Sequence, residues 1–136
     1  HAADVVFRAG LPITLVPLDV TTQVRLTRDF LQHAGQGAAT PLMSAVHDLT
    51  QQALHSQGEG MAMHDPLAVA VAIDPSLVTC TTLPVCTETR GAHTIGMTVA
   101  DRRPSVYWRS DMPQLEVALE VDTPRVLRLF ATRVLT

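Results

Sequence analysis

An α/β fold, a sheet flanked by helices, is what this sequence predicts, and three features carry the prediction. The apolar run over residues 12–18, with Ile13, Leu15 and Val16, lies between two stretches of helical pattern, as a buried parallel strand does. Residues 77–90, 94–101 and 115–121 are Val- and Thr-rich or alternate apolar with polar side chains, which reads as an antiparallel set of strands. The helical stretches are punctuated by Thr40-Pro41, Asp65-Pro66 and Asp122-Thr123-Pro124. A short oxygen-bearing side chain followed by proline marks a helix start, because proline's missing N–H is not needed there.

Taken in order, residues 2–9 close a helix carrying Val5, Val6 and Phe7, and Gly10 suits its exit. The strand over 12–18 leads to Asp19-Val20-Thr21-Thr22 at its carboxyl end. Ligands gather outside such ends in open α/β sheets, although capping of the next helix is the preferred reading for Asp19 and Thr21. Residues 22–33 read as that helix, with Val24, Leu26, Phe30 and Leu31 apolar, and 36–39 as a loop. A helix from Thr40-Pro41 runs past Leu54 and carries His47, Asp48 and His55. The two histidines read as partly exposed polar positions, with a shared cleft as the alternative.

A loop over 56–63 then delivers His64 and Asp65 to a helix that ends at Asp74-Pro75, since the residue before proline is pushed out of the α region. The strand over 77–90 is expected to break near Pro84. A turn at Gly91-Ala92 precedes the next strand, and an irregular connection over 102–113 holds Tyr107 and Trp108. In the last helix Leu127, Phe130, Ala131 and Val134 recur at helical spacing, so one face is buried.

Composition narrows the function classes. At 136 residues and 46% hydrophobic, the chain reads as a single segment, 1–136, with enough apolar material for a core. Its net charge is −3 and its basic side chains are all arginine or histidine, which excludes the basic excess of a nucleic-acid surface. Aromatics at 4% leave no base-stacking platform. Cys80 and Cys86 read as buried free thiols, consistent with a reducing cytoplasm. No apolar run is long enough to cross a bilayer, so no membrane partner is expected.

The most informative stretch is Met61-Ala62-Met63-His64-Asp65-Pro66, followed by small apolar residues to Ile73. By itself it allows Asp65 to be only a helix cap and His64 only a loop residue. It stands, however, in an ordered set. Gly10-Leu11-Pro12-Ile13-Thr14 and Val16-Pro17-Leu18-Asp19-Val20-Thr21 precede it, and Gly96-Met97-Thr98-Val99-Ala100-Asp101 and Val121-Asp122 follow. This set resembles the inosine–uridine-preferring nucleoside hydrolases, whose signature is His-Asp-Pro. The likeness covers nearly the whole chain, but it corresponds to the C-terminal half of that family. Family members mostly carry His where Thr22 stands, so that position carries no inference.

The resemblance implies a C-terminal part of the nucleoside hydrolase fold, with a mixed sheet flanked by helices. It implies cleavage of the N-glycosidic bond of ribonucleosides by water, with a bound Ca²⁺ ion. His64 is then the acid that protonates the leaving base, and Asp65 a carboxylate ligand of the metal; both touch substrate. The family's N-terminal Asp cluster, which supplies most metal ligands, is absent from this sequence. The resemblance therefore implies that these residues act within a longer parent protein and are inactive alone. It also implies homo-oligomerisation or pairing with that N-terminal half. The alternatives are a truncated, non-catalytic relative serving as a binding or structural module, and a different sugar-processing α/β enzyme with a similar helix mouth.

Overall fold

The computed structural model describes residues 1–34, 40–56 and 60–135. The chain divides into two compact units, each built from two chain segments: residues 1–15 with 80–118, and 16–79 with 119–136.

The first unit holds α1 (Ala2–Phe7), β1 (Thr14–Leu15) and β5 (Thr98–Ala100), together with most of β4 (Val78–Thr87) and β6 (Gln114–Val121). The sheet order is β1-β6-β4-β5. β1 pairs in parallel with β6, Thr14 opposite Glu116 and Leu15 opposite Val117, whereas β4 and β5 are antiparallel. The sheet is thus mixed, as expected. β1 is shorter and more open than a buried strand, with Thr14 exposed and Leu15 half-buried, because it is the edge strand and pairs only with β6 among the described residues. Phe7, Leu83, Pro84, Val85, Leu115, Val117 and Ala118 are the buried apolar side chains of this unit among the described residues.

Three expectations for this unit need correction. β4 does not break at Pro84. The Pro84 carbonyl accepts from Asp101 N at 2.9 Å, and Val85 N donates to Pro113 O at 2.9 Å, so the ladder is carried past the missing N–H. The strand expected over 94–101 is only β5, since residues 94–97 form a turn in which Gly96 has φ +90°. Cys80 and Cys86 are free but half-buried rather than buried. Burial raises the Cys80 thiol's pKa, and the Glu116 carboxylate adds to the effect.

The second unit carries α2 (Leu18–Thr21), β2 (Arg25–Leu26), α3 (Arg28–Ala34), α4 (Pro41–Ser56), β3 (Met61–Ala62), α5 (His64–Ile73) and α6 (Thr123–Val134). Here the punctuation residues act largely as read. Thr40 Oγ1 accepts from Met43 N at 3.2 Å ahead of Pro41 in α4. Asp122 Oδ1 accepts from Arg125 N at 3.1 Å at the start of α6. The apolar stripe of α6 is half-buried at Leu127, Phe130, Ala131 and Val134, with Val126 fully buried beside it. The helix expected over 22–33 is instead a turn, β2 and then α3. β2 forms an antiparallel ribbon with β3, Arg25 opposite Ala62 and Leu26 opposite Met61, and this long-range pairing overrides the local helical pattern. The α3 start is capped by Thr27, whose Oγ1 accepts from Phe30 N at 3.1 Å.

Behind α5, Asp74 and Ser76 form a clamp with α6. Arg125 donates to Asp74 Oδ2 at 2.9 Å and to Ser76 Oγ at 2.8 Å. The Ser76 hydroxyl, ahead of Arg125, holds the Asp74 carboxyl below its usual pKa. α5 ends where the sequence places its end, at the Asp74-Pro75 step, with Asp74 in the extended conformation that a following proline favours.

Candidate functional site

The ribbon of β2 and β3 aims the start of α5. Gly60 enters β3 with φ +110°, and a Cβ there would stand 3.0 Å from Leu26 O and 3.1 Å from Thr27 Cγ2. Only glycine takes that conformation without strain and leaves that room. Its carbonyl accepts from an Arg25 guanidinium nitrogen at 2.7 Å. Two residues beyond β3's start, Met63 N donates to Val24 O at 2.9 Å, and Met63 is fully buried. Gly60→Ala is therefore expected to lower stability by about 1–2 kcal/mol, the cost of a left-handed residue with a Cβ, measured as a fall in the urea midpoint. An unchanged midpoint would mean the ribbon tolerates a Cβ at this turn.

α5 starts earlier than the Asp-Pro rule places it. Its N-cap is Met63, with no side-chain capping bond, and Leu67 N donates to Met63 O at 3.2 Å as the first helical bond. His64 and Asp65 are the first two helical residues and Pro66 is the third. Proline is still tolerated, because the first four helical N–H groups have no acceptor within the helix. The capping role read for Asp65 is thus not the one it plays. Asp65 is exposed, and among the described residues its carboxylate has no hydrogen-bond or ion-pair partner. The positive end of α5 favours a negative charge at this place.

His64 is also exposed, but its ring is tied down. Its Nδ1 lies 2.7 Å from Thr21 Oγ1. Thr21 sits in α2 and is 3% exposed, with its hydroxyl also 3.5 Å from Leu18 O. Neither Asp19 nor Thr21 caps the following helix. α2 begins at Leu18 behind Pro17, Asp19 is an exposed residue of its first turn, and Thr21 is its last residue. The sequence marks the segment after the 12–18 run as a place where ligands gather, but it gives no sign that Thr21 meets His64. The two are 43 positions apart, and no local pattern joins them.

The other candidates stay apart from this point. His47 Nε2 is 2.6 Å from Gln51 Nε2, and its Nδ1 is 3.6 Å from Asp48 Oδ1, so it is engaged by its own helix at the surface. His55 is exposed in the last turn of α4. The expected loop over 56–63 lies partly outside the described residues. An apolar groove of about 370 Å³ runs between α5 and α6, lined by Met63, Val69, Ile73 and Phe130 with Asp65 and Arg133 as its polar members. His64 does not line it, and a ribose with its hydroxyls needs more polar partners than two.

The donor set bears on a metal. Ca²⁺ takes six to eight oxygen ligands. Among the described residues no three His, Cys, Asp or Glu side chains come together. Asp65, as a free, exposed carboxylate, can supply one or two of those oxygens and not the full set. Nor is any helix among the described residues long and apolar enough to cross a membrane.

Residues 1–128 match the profile of the family described as inosine-uridine preferring nucleoside hydrolase. A pyrimidine-specific ribonucleoside hydrolase of Shewanella woodyi is 37% identical over 108 residues, covering 75% of this chain and 34% of that protein. A solved plant nucleoside hydrolase superposes with a TM-score of 0.88 at 26% identity, over 100% of this chain and 45% of that one. A purine-preferring ribonucleoside hydrolase from Gardnerella vaginalis superposes with a TM-score of 0.81 at 35% identity, over 98% of this chain and 42% of that one. The chain spans less than half the length of each of these relatives.

Proposed function

This chain belongs to the inosine–uridine preferring nucleoside hydrolase family, and from that premise we propose that it supplies part of a site hydrolysing the N-glycosidic bond of ribonucleosides to ribose and free base. The observation that carries the reading is the pair His64 and Asp65, side by side in the exposed first turn of α5, one ring held at Nδ1 and one carboxylate left free. His64 keeps Nε2 available for the leaving base. As the bond between ribose and base lengthens, positive charge grows on the sugar and negative charge on the base. A proton given from Nε2 to a base nitrogen relieves the second of these, and histidine is the side chain suited to that exchange near neutral pH.

Asp65 would be one ligand of a Ca²⁺ ion, most of whose other ligands come from outside this sequence. Such an ion, when bound, orients and polarises the attacking water. The partner surface belongs to the same proposal. β1 is an edge strand with Thr14 exposed, and Leu11 ahead of it in the same unit is also exposed. An edge of that kind pairs with the rest of the family's fold or with a second copy. A cytoplasmic setting accords with the two free thiols. The preference between purine and pyrimidine stays open in this proposal, since the relatives named above divide on it.

The test is release of reducing sugar by the intact polypeptide containing these residues, with inosine and uridine as substrates. Sugar release that stops with a calcium chelator and returns on adding calcium is the expected result. No release from any ribonucleoside by the calcium-loaded polypeptide would refute the proposal.

A further inference from the structure

We infer that Thr21 is a positioning residue for His64, fixing the ring through Nδ1 so that Nε2 alone faces the departing base. The inference rests on the acid role proposed for His64. Three observations carry it. The Oγ1 to Nδ1 distance of 2.7 Å is that of a good hydrogen bond. Thr21 is 3% exposed, so its hydroxyl is held by packing rather than by solvent. Its second neighbour, Leu18 O at 3.5 Å, is an acceptor only.

A hydroxyl donates once and accepts as well. With both ring nitrogens protonated, Nδ1–H donates to Thr21 Oγ1, and the hydroxyl proton turns towards the Leu18 carbonyl. When acid transfer occurs, the Nε2–H bond breaks and an N–H bond forms on the base, while the bond from ribose to base breaks. The ring is left neutral, with its remaining proton still on Nδ1 and still donated to Thr21. The contact thus needs no rearrangement during the step, and reprotonation of Nε2 from water restores the start. In the opposite tautomer the hydroxyl donates to Nδ1, and the ring keeps the same orientation. An exposed histidine without this tether would spread over several rotamers, and only a fraction of them would place Nε2 on the base.

The experiment compares Thr21→Val, Thr21→Ser, His64→Ala and the double variant Thr21→Val/His64→Ala in the intact polypeptide. Each is assayed on inosine or uridine, whose bases leave poorly, and on a p-nitrophenyl riboside, whose leaving group needs no acid. Thr21→Val is expected to lower kcat on the nucleoside roughly tenfold, the size of one lost hydrogen bond, with a much smaller loss on the nitrophenyl riboside and little change in KM. Thr21→Ser should restore most of the loss. In the His64→Ala background, Thr21→Val should add almost nothing. Equal losses on both substrates, or a full effect in the His64→Ala background, would overturn the assignment. Should the valine variant fail to fold, ¹⁵N spectra of the wild-type histidine rings decide the matter: a His64 ring with no hydrogen bond at Nδ1 overturns it. If His64→Ala itself loses equally on both substrates, the acid reading fails and the role of Thr21 falls with it. If His64→Ala discriminates and Thr21→Val does not, only the positioning role falls.

Discussion

His64→Ala in the intact polypeptide is expected to lower kcat for inosine or uridine by about 10² to 10⁴, the usual contribution of a positioned acid. His64 is exposed in the first turn of α5, so truncating it removes only its hydrogen bond to the Thr21 hydroxyl and should lower stability by about 1 kcal/mol, a small fall in melting temperature. That separates a chemical loss from a structural one. KM should change far less than kcat, because the proton is needed only as the bond breaks. The loss should shrink as the leaving group improves and nearly vanish for a nitrophenyl riboside. Steady-state kinetics on a short series of leaving groups makes the check. A uniform loss across the series would remove His64 from the acid role and leave it as a contact to the substrate.

Asp65→Asn is expected to have an effect of similar size by a different route. Asn keeps the shape and one carbonyl oxygen but removes a negative charge, and ligand charge helps set calcium affinity. Turnover should fall by orders of magnitude at ordinary calcium and recover in part as calcium is raised. Stability should move little in the absence of metal. Asp65 makes no capping bond, so only its interaction with the positive end of α5 is lost, at most about 1 kcal/mol. A purely structural Asp65 would reverse this pattern, with a lower melting temperature and intact turnover.

Much of this arrangement was legible in the sequence, and the failures share one cause. Thr40 and Asp122 were readable as helix starts because capping is a local event, settled within three residues. The parallel strand at Thr14–Leu15 was readable from its apolar run between helical patterns. What escaped was long-range. Arg25 and Leu26 carry a helical pattern, yet pairing with Met61 and Ala62 makes them a strand. The same ribbon starts α5 at His64, so Asp65 is not the cap that the Asp-Pro step implies. Pro84 looked like a strand breaker, but its neighbours carry the ladder past it. At the candidate site, His64 and Asp65 stand out in the sequence as an adjacent pair in an ordered motif set, and their roles there are the proposal made above. Thr21 does not stand out, since its tie to His64 depends on how α2 and α5 pack.

The central claim, that the mouth of α5 is one arm of a metal-dependent hydrolase site, is tested most directly by calorimetric calcium titration. The samples are the chelator-stripped intact polypeptide and its Asp65→Asn variant, at the same ionic strength. Tight, stoichiometric binding by the wild type and binding at least tenfold weaker in the variant, the weakening expected when a divalent site loses a charged ligand, is the predicted result. Wild-type calcium affinity in the Asn variant would contradict the claim.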